Sequence, residues 1–222
     1  MSELELLLAY RGARADRDGR ADRDGRAPAE VEQVGAELIA VRLWTPEFCA
    51  ALIAACDAAD AWASDPEDPV PGQELSFAVL SQVLASRIEQ HLAEAVAPAI
   101  ASQWPLAEYN GLHDGFVIRY AADSDNELRL HHDVAQISGS VKLNADYEGG
   151  VLEFPRQGFD NSALPVGTLL MWPSLVTHPH RSTPVTGGVK YGATLWFALP
   201  AAAQVQSAIG SAEDFVALSG EW

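Results

Sequence analysis

The sequence predicts an α+β fold that is mainly β, with helices from the first half packed on one face of a β structure built by the second. Two stretches before Trp104 repeat apolar residues at helical spacing. After Trp104 short β-rich runs alternate with Gly, Pro and Asn, the texture of a sandwich, jelly roll or barrel. A chain of 222 residues with 48% hydrophobic content is long enough to bury one sizeable core. Helices first and strands second imply helical support for a single β unit.

The first element, residues 1–30, is expected to be a mobile N-terminal segment. It contains the tandem hexapeptide "RADRDGRADRDGRA" (Arg14 to Ala27) and offers few apolar groups from Ala9 onward to offset ordering entropy. Its aspartate spacing lacks the terminal glutamate of a calcium loop. A helical support region follows over 31–110. "WTPEFCAALIAACDAADAW" reads as a helix with Thr45 as cap and Pro46 at its first position. Phe48, Leu52, Ala55, Ala59 and Trp62 recur on one face. "DPEDPVPG" (Asp65 to Gly72) reads as a loop. A second helix is predicted from about Ser76 to about Ala101, with Phe77, Leu80, Leu84, Ile88, Leu92 and Ala95 as its stripe. His91 beside that stripe reads as a satisfied boundary residue. The β core occupies 111–200, with strands near His113–Tyr120, Val134–Leu143, Val151–Phe154, Thr168–Trp172, His178–Arg181 and Val189–Leu199. Residues 201–222 form a C-terminal extension.

Composition narrows the partners. The net charge of −17 disfavours nucleic acid and anionic membranes. No apolar run approaches the roughly 20 residues of a membrane span. "LELLLAY" lacks the basic flank and cleavage site of a signal peptide, so a cytoplasmic protein is the expectation. Cys49 and Cys56 lie two helical turns apart, beyond disulfide reach, and read as small core residues. Oligomeric state is not legible.

The chemistry concentrates in "LRLHHDVAQ" (Leu128 to Gln136) and in His178/His180. In extended chain, residues i and i+2 point to one side, so His131 and Asp133 converge while His132 turns away. Two histidines and one carboxylate leave one face of a metal ion open, as in non-haem Fe(II) oxygenases. The same parity leaves both His178 and His180 open as the third ligand.

From about Phe116 to Phe197 the chain resembles the Fe(II)/2-oxoglutarate dioxygenases, in particular the prolyl and lysyl hydroxylase group. The resemblance rests on "LRLHHDVAQISGSVKLN", "YEGGVLEF" and "HPHRSTPVTGGVKYGATLWF", in that order. It implies a double-stranded β-helix (jelly-roll) core. It implies Fe(II) held by His131, Asp133 and His180, with 2-oxoglutarate as cosubstrate, O2, and ascorbate as reductant. It makes Lys190 the cation for the far carboxylate of 2-oxoglutarate, where many relatives have arginine. Thr194 shares a strand side with Lys190 and Gly192 and leaves room for the cosubstrate. Tyr120 and Asn144 are carried over as further cosubstrate contacts. Lys142 reads either as a second cation or as a solvent-facing lysine, and Trp172 and Trp196 as core. The implied reaction is hydroxylation of an unactivated C–H bond, in an amino-acid side chain that is free or in a peptide, yielding succinate and CO2. The other reading of these residues is a noncatalytic β-barrel that binds a metal or a partner protein.

Overall fold

The computed structural model describes residues 1–15, 31–64, 72–105, 107, 109–124, 126–133 and 135–198. The "DPEDPVPG" loop before Gly72 and the 201–222 extension lie outside the described residues. So does the hexapeptide repeat from Asp16 onward.

Helix α1 (Glu3–Ala15) corrects the expectation of a mobile start. Leu6 and Tyr10 are buried, and the Tyr10 ring meets Phe48 edge-on at 4.9 Å. The Tyr10 hydroxyl hydrogen-bonds His91 Nδ1 at 2.9 Å, so His91 is satisfied as expected, though it is buried in the core and not at its boundary. The few apolar groups of this segment suffice because they share one helical face.

The support region is less helical than its composition implies. Strands β1 (Val31–Gly35), β2 (Leu38–Arg42) and β3 (Gln73–Ser76) all come from it. Between them, helix α2 (Pro46–Ala59) starts where predicted, with the Thr45 hydroxyl accepting from Phe48 N. The predicted helix from Ser76 to Ala101 is three helices: α3 (Phe77–Leu80), α4 (Gln82–Ala95) and α5 (Ala97–Gln103). Ser81 causes the first break. Its extended backbone (φ −166°, ψ 118°) ends α3 while its hydroxyl caps α4 by accepting from Leu84 N. The second break falls before Pro98, which lacks a backbone N–H and is tolerated only in a first turn. Ser81 also donates to Glu3 Oε1 at 2.5 Å, tying α1 to the start of α4.

The β core follows as β4 (Leu112–Ala121), β5 (Leu128–His131), β6 (Ile137–Lys142), β7 (Glu148–Gly149), β8 (Leu152–Phe154), β9 (Phe159–Asp160), β10 (Thr168–Pro173), β11 (His180–Ser182), β12 (Val185–Gly187) and β13 (Val189–Phe197). Among the described residues, a seven-stranded antiparallel sheet runs β1-β2-β10-β6-β13-β4-β3, and a four-stranded one runs β5-β11-β8-β9. Strands that are distant in sequence are neighbours in both sheets, the wrapped connectivity of a jelly roll.

Side-chain parity divides the large sheet. Ile39, Val41, Val117, Val141, Leu169, Ala193 and Leu195 face the helices and join Phe48, Leu52, Leu84 and Ile88 in the main core. The alternate residues face the small sheet. There Leu38, Leu152, Phe154, Leu170 and Trp172 form one cluster, and Phe116, Ile118, Tyr120 and Val185 another. Trp172 is thus core, and Trp196 packs half-buried against Phe116 at 5.3 Å. Cys49 and Cys56 are buried free thiols, and burial pushes both up to about 12.

Candidate active site

The site lies between the two sheets. His131 ends β5, Asp133 follows in the loop to β6, and His180 opens β11. Strands β5 and β11 are paired in register so that His131 stands opposite His180. His131 Nε2 lies 3.4 Å from Asp133 Oδ1, and His180 Nε2 lies 3.5 Å from Asp133 Oδ2. One ligand atom from each residue falls within 4.8 Å of the others.

The tautomers follow from the hydrogen bonds. His131 Nδ1 is 2.8 Å from the Arg129 carbonyl, and His180 Nδ1 is 3.0 Å from the His178 carbonyl. A carbonyl only accepts, so each Nδ1 carries the proton. The Nε2 lone pairs are left aimed at Asp133, as a metal ligand requires. The His180 ring is stacked on Phe154 at 5.3 Å and meets Trp172 edge-on at 4.9 Å. Burial drives His180 down to about 4, so the ring is neutral at ordinary pH. Burial alone would raise the Asp133 carboxyl. The His131 and His180 rings and the Ser138 hydroxyl beside it outweigh burial and bring it below its ordinary value. Two imidazole Nε2 atoms and a carboxylate form a donor set that fits a divalent ion of the Fe(II) class.

His132 is exposed and outside this cluster. His178 is also outside it, with Nε2 3.1 Å from the Ala36 carbonyl and Nδ1 2.9 Å from Thr177 Oγ1. The expected strand over His178–Arg181 begins only at His180. His178 ends a 3-10 turn (Leu175–Thr177) with φ −124° and ψ 66°, so strand parity does not apply to it. Arg156 and Gln157 clamp that turn by donating to the Val176 and Thr177 carbonyls.

A cation stands beside the triad strand. Lys190, 8% exposed, donates to Ser182 Oγ at 2.6 Å, and Ser182 is two residues from His180 on β11. Its Nζ lies 5.4 Å over the ring of Tyr120, its cross-strand neighbour. No carboxylate forms an ion pair with it among the described residues. Burial, then the charge of Lys142, lowers Lys190 to about 7. A buried ammonium without a counter-ion is costly, so the arrangement suits an anionic ligand. Thr194 lies further along the same face of β13, opposite Phe116 and Ser140. Asn144 is otherwise engaged: its amide nitrogen donates to Val189 O and Asp146 Oδ1, and its oxygen accepts from Tyr191 N. One donor holds the end of β6 to β13 and the other holds the turn at Asp146, so Asn144 is a structural clasp instead of the expected cosubstrate contact.

Gly150 keeps the Lys190 stem in place. Its φ is +61°, and a Cβ there would meet Val185 Cγ2 at 2.9 Å, Lys190 Cδ at 3.0 Å and Tyr147 Cε2 at 3.1 Å. Gly150→Ala is therefore expected to displace Lys190 and weaken keto-acid binding about tenfold, on top of about 1 kcal/mol of backbone strain. Metal affinity should be unchanged, which parallel metal and keto-acid titrations check.

Residues 115–198 match a family model described as the 2OG-Fe(II) oxygenase superfamily. Over this stretch, which holds the β core, the chain is similar to that superfamily. Human procollagen-lysine,2-oxoglutarate 5-dioxygenase 1 is 35% identical over 104 residues, which is 45% of this chain and 14% of that protein. A multifunctional procollagen lysine hydroxylase and glycosyltransferase of Caenorhabditis elegans is 37% identical over 79 residues, covering 34% of this chain and 11% of its own. The chain thus spans only a small part of the length of the curated relatives it matches. Among solved structures, a viral collagen prolyl hydroxylase from Paramecium Bursaria Chlorella virus-1 superposes with a TM-score of 0.58 at 18% identity. It covers 74% of this chain and 97% of its own. A Pseudomonas putida prolyl-4-hydroxylase gives 0.56 at 19%, covering 73% and 93%. These two show that the chain has the fold of that group, the jelly roll that the resemblance implied.

The signals missed in the sequence were Ser182 and the aromatic pair around His180. Ser182 stands at i+2 from His180 and was accessible to the parity argument. Phe154 and Trp172 come from strands whose neighbourhood only the sheet order reveals.

Proposed function

We propose that the protein is an Fe(II)- and 2-oxoglutarate-dependent hydroxylase acting on an unactivated C–H bond of an amino-acid side chain, free or in a peptide. One observation carries this reading. Two Nε2 atoms and one carboxylate converge on the small sheet, and a buried lysine of the large sheet reaches across to Ser182 of β11, with no ion-pair partner among the described residues. A noncatalytic metal barrel needs the triad but has no use for Lys190, which would then remain a buried charge with no ion-pair partner among the described residues.

His131, Asp133 and His180 would hold the ion, with the Arg129 and His178 carbonyls fixing both rings. Lys190 would take the distal carboxylate of 2-oxoglutarate, with Ser182 and the Tyr120 face orienting its ammonium. When bound, Fe(II) with 2-oxoglutarate and O2 supplies the oxidation: one oxygen atom enters succinate as CO2 leaves, and the other enters the C–H bond as hydroxyl. Phe154 and Trp172 keep the His180 side of the site dry. Ascorbate is the proposed reductant for iron that oxidises between turnovers. The relatives named for procollagen lysine and for prolyl hydroxylation support a peptidyl side chain as the first substrate class to test. The net charge of −17 favours a neutral or basic peptide and argues against nucleic acid and anionic membranes. A cytoplasmic location belongs to the same proposal.

The test is succinate release from 2-oxoglutarate by the protein with Fe(II), O2 and ascorbate, against lysine- and proline-containing peptides and the free amino acids. Mass spectrometry should find a gain of one oxygen atom in the substrate. Absence of 2-oxoglutarate binding by metal-loaded protein would overturn the reading.

A further inference from the structure

Lys142 is a second lysine on the inner face of the large sheet. It ends β6 and pairs directly with Gly192 of β13. Gly192 is two residues from Lys190, so the two lysines are diagonal cross-strand neighbours on one face, a spacing long side chains bridge easily. Lys142 is half-buried, and burial lowers its pKa. It is also the charge that Lys190 feels, since its proximity is the second cause of the depression there.

This pairing has no internal explanation. Acids outnumber bases 31 to 14 in the chain, yet among the described residues neither lysine has an ion pair with a carboxylate. The Lys142 ammonium only donates to the Ser162 carbonyl at 3.2 Å. The nearest acid in sequence to that contact, Asp160, spends its carboxylate on the Ser162 N–H and hydroxyl. Two like charges on one partly dry face repel unless an anion joins them. Gly192, which faces Lys142 beside Lys190, puts no side chain between them. A Cβ at Gly192 would meet nothing closer than Ile118 Cγ2 at 3.6 Å. A flexible four-carbon stem can leave a single carbonyl contact at modest cost.

We propose that Lys142 is a second cation for the distal carboxylate of the keto-diacid cosubstrate, closing on it beside Lys190 in place of its Ser162 contact. This rests on the reading of Lys190 given above and adds a residue to it. The alternative is that Lys142 merely clasps the loop after β9.

The two roles differ in sign. A ligand contact makes Lys142→Met weaken 2-oxoglutarate binding. A mere neighbour makes the same substitution neutral or tightening, because it removes a repulsion from Lys190. The measurement is calorimetric titration of Mn(II)-loaded protein with 2-oxoglutarate near neutral pH, and with pyruvate, which lacks the distal carboxylate. Lys142→Met should lose about tenfold in 2-oxoglutarate affinity, the scale of one charge-assisted hydrogen bond. It should change pyruvate and Mn(II) binding little, and Lys142→Arg should restore most of the loss. Unchanged or tighter 2-oxoglutarate binding by Lys142→Met, or equal losses for both keto acids, overturns the inference while leaving the Lys190 site intact. If the unsubstituted protein binds no 2-oxoglutarate, the functional reading falls and this inference with it.

Discussion

Asp133→Ala is expected to lower divalent-metal affinity by well over about a hundredfold and to reduce succinate formation to background. Loss of a group that only orients a ligand costs about 10- to 100-fold in affinity; Asp133 would be a ligand itself. It is also the one member of the triad that supplies a formal negative charge, because an imidazole is neutral when it binds a metal. Without it, two neutral imidazoles face a divalent ion with no charge compensation. Chelator competition gives the affinity, and circular dichroism of the metal-free variant separates a lost site from a lost fold. A variant that binds metal as tightly as the parent would remove Asp133 from the ligand set.

Lys190→Met should act in opposite directions on function and stability. Loss of the buried ammonium is expected to cost about a hundredfold in 2-oxoglutarate affinity, because the distal carboxylate would then lack its fully buried counter-charge. The same change should stabilise the cosubstrate-free protein. Burial holds Lys190 at about 7 in the folded state, against about 10.4 in an unfolded chain. Between those values the unfolded chain binds more protons, so stability of the free protein rises with pH across that window and is lowest below pH 7. Lys190→Met lacks this slope and should be more stable by on the order of a few kcal/mol below pH 7. In the proposed site, cosubstrate binding would require the charged amine. In the parent, affinity should therefore fall above pH 7, by at most about tenfold per pH unit. Thermal melts and binding isotherms from pH 6 to 9 test both. A flat pH profile with a destabilised variant would contradict this account.

Much of the β core was legible because its strands are long or bounded by strong turn residues. Val189–Phe197 and Thr168–Pro173 fall within two residues of their expected limits. Strands β1 to β3 were not, for separate reasons. The burial of β1 is weak and mostly exposed, so it carries no alternation to detect. The "LIAVR" of β2 is buried almost throughout, and such a run is indistinguishable from helix by period. β3 is four residues long and runs straight into α3. The helix break at Ser81 was hidden because serine is also tolerated inside a helix, and only its extended backbone reveals the cap. At the site, His131 and Asp133 were readable from spacing, whereas His180 over His178 depended on where a strand begins. Lys142 was ambiguous because its meaning comes from register with Gly192, which no local pattern encodes.

The edge-on contact between Trp172 and His180 gives the protein a built-in optical reporter. The indole centroid is 4.9 Å from the imidazole, so a paramagnetic ion on that ring lies close enough to drain the indole's excited state. Emission from the protein's own tryptophans should dim as Mn(II) or Fe(II) fills the triad, and Trp172→Phe should abolish most of the dimming. Occupancy could then be followed in unlabelled protein, without waiting for turnover.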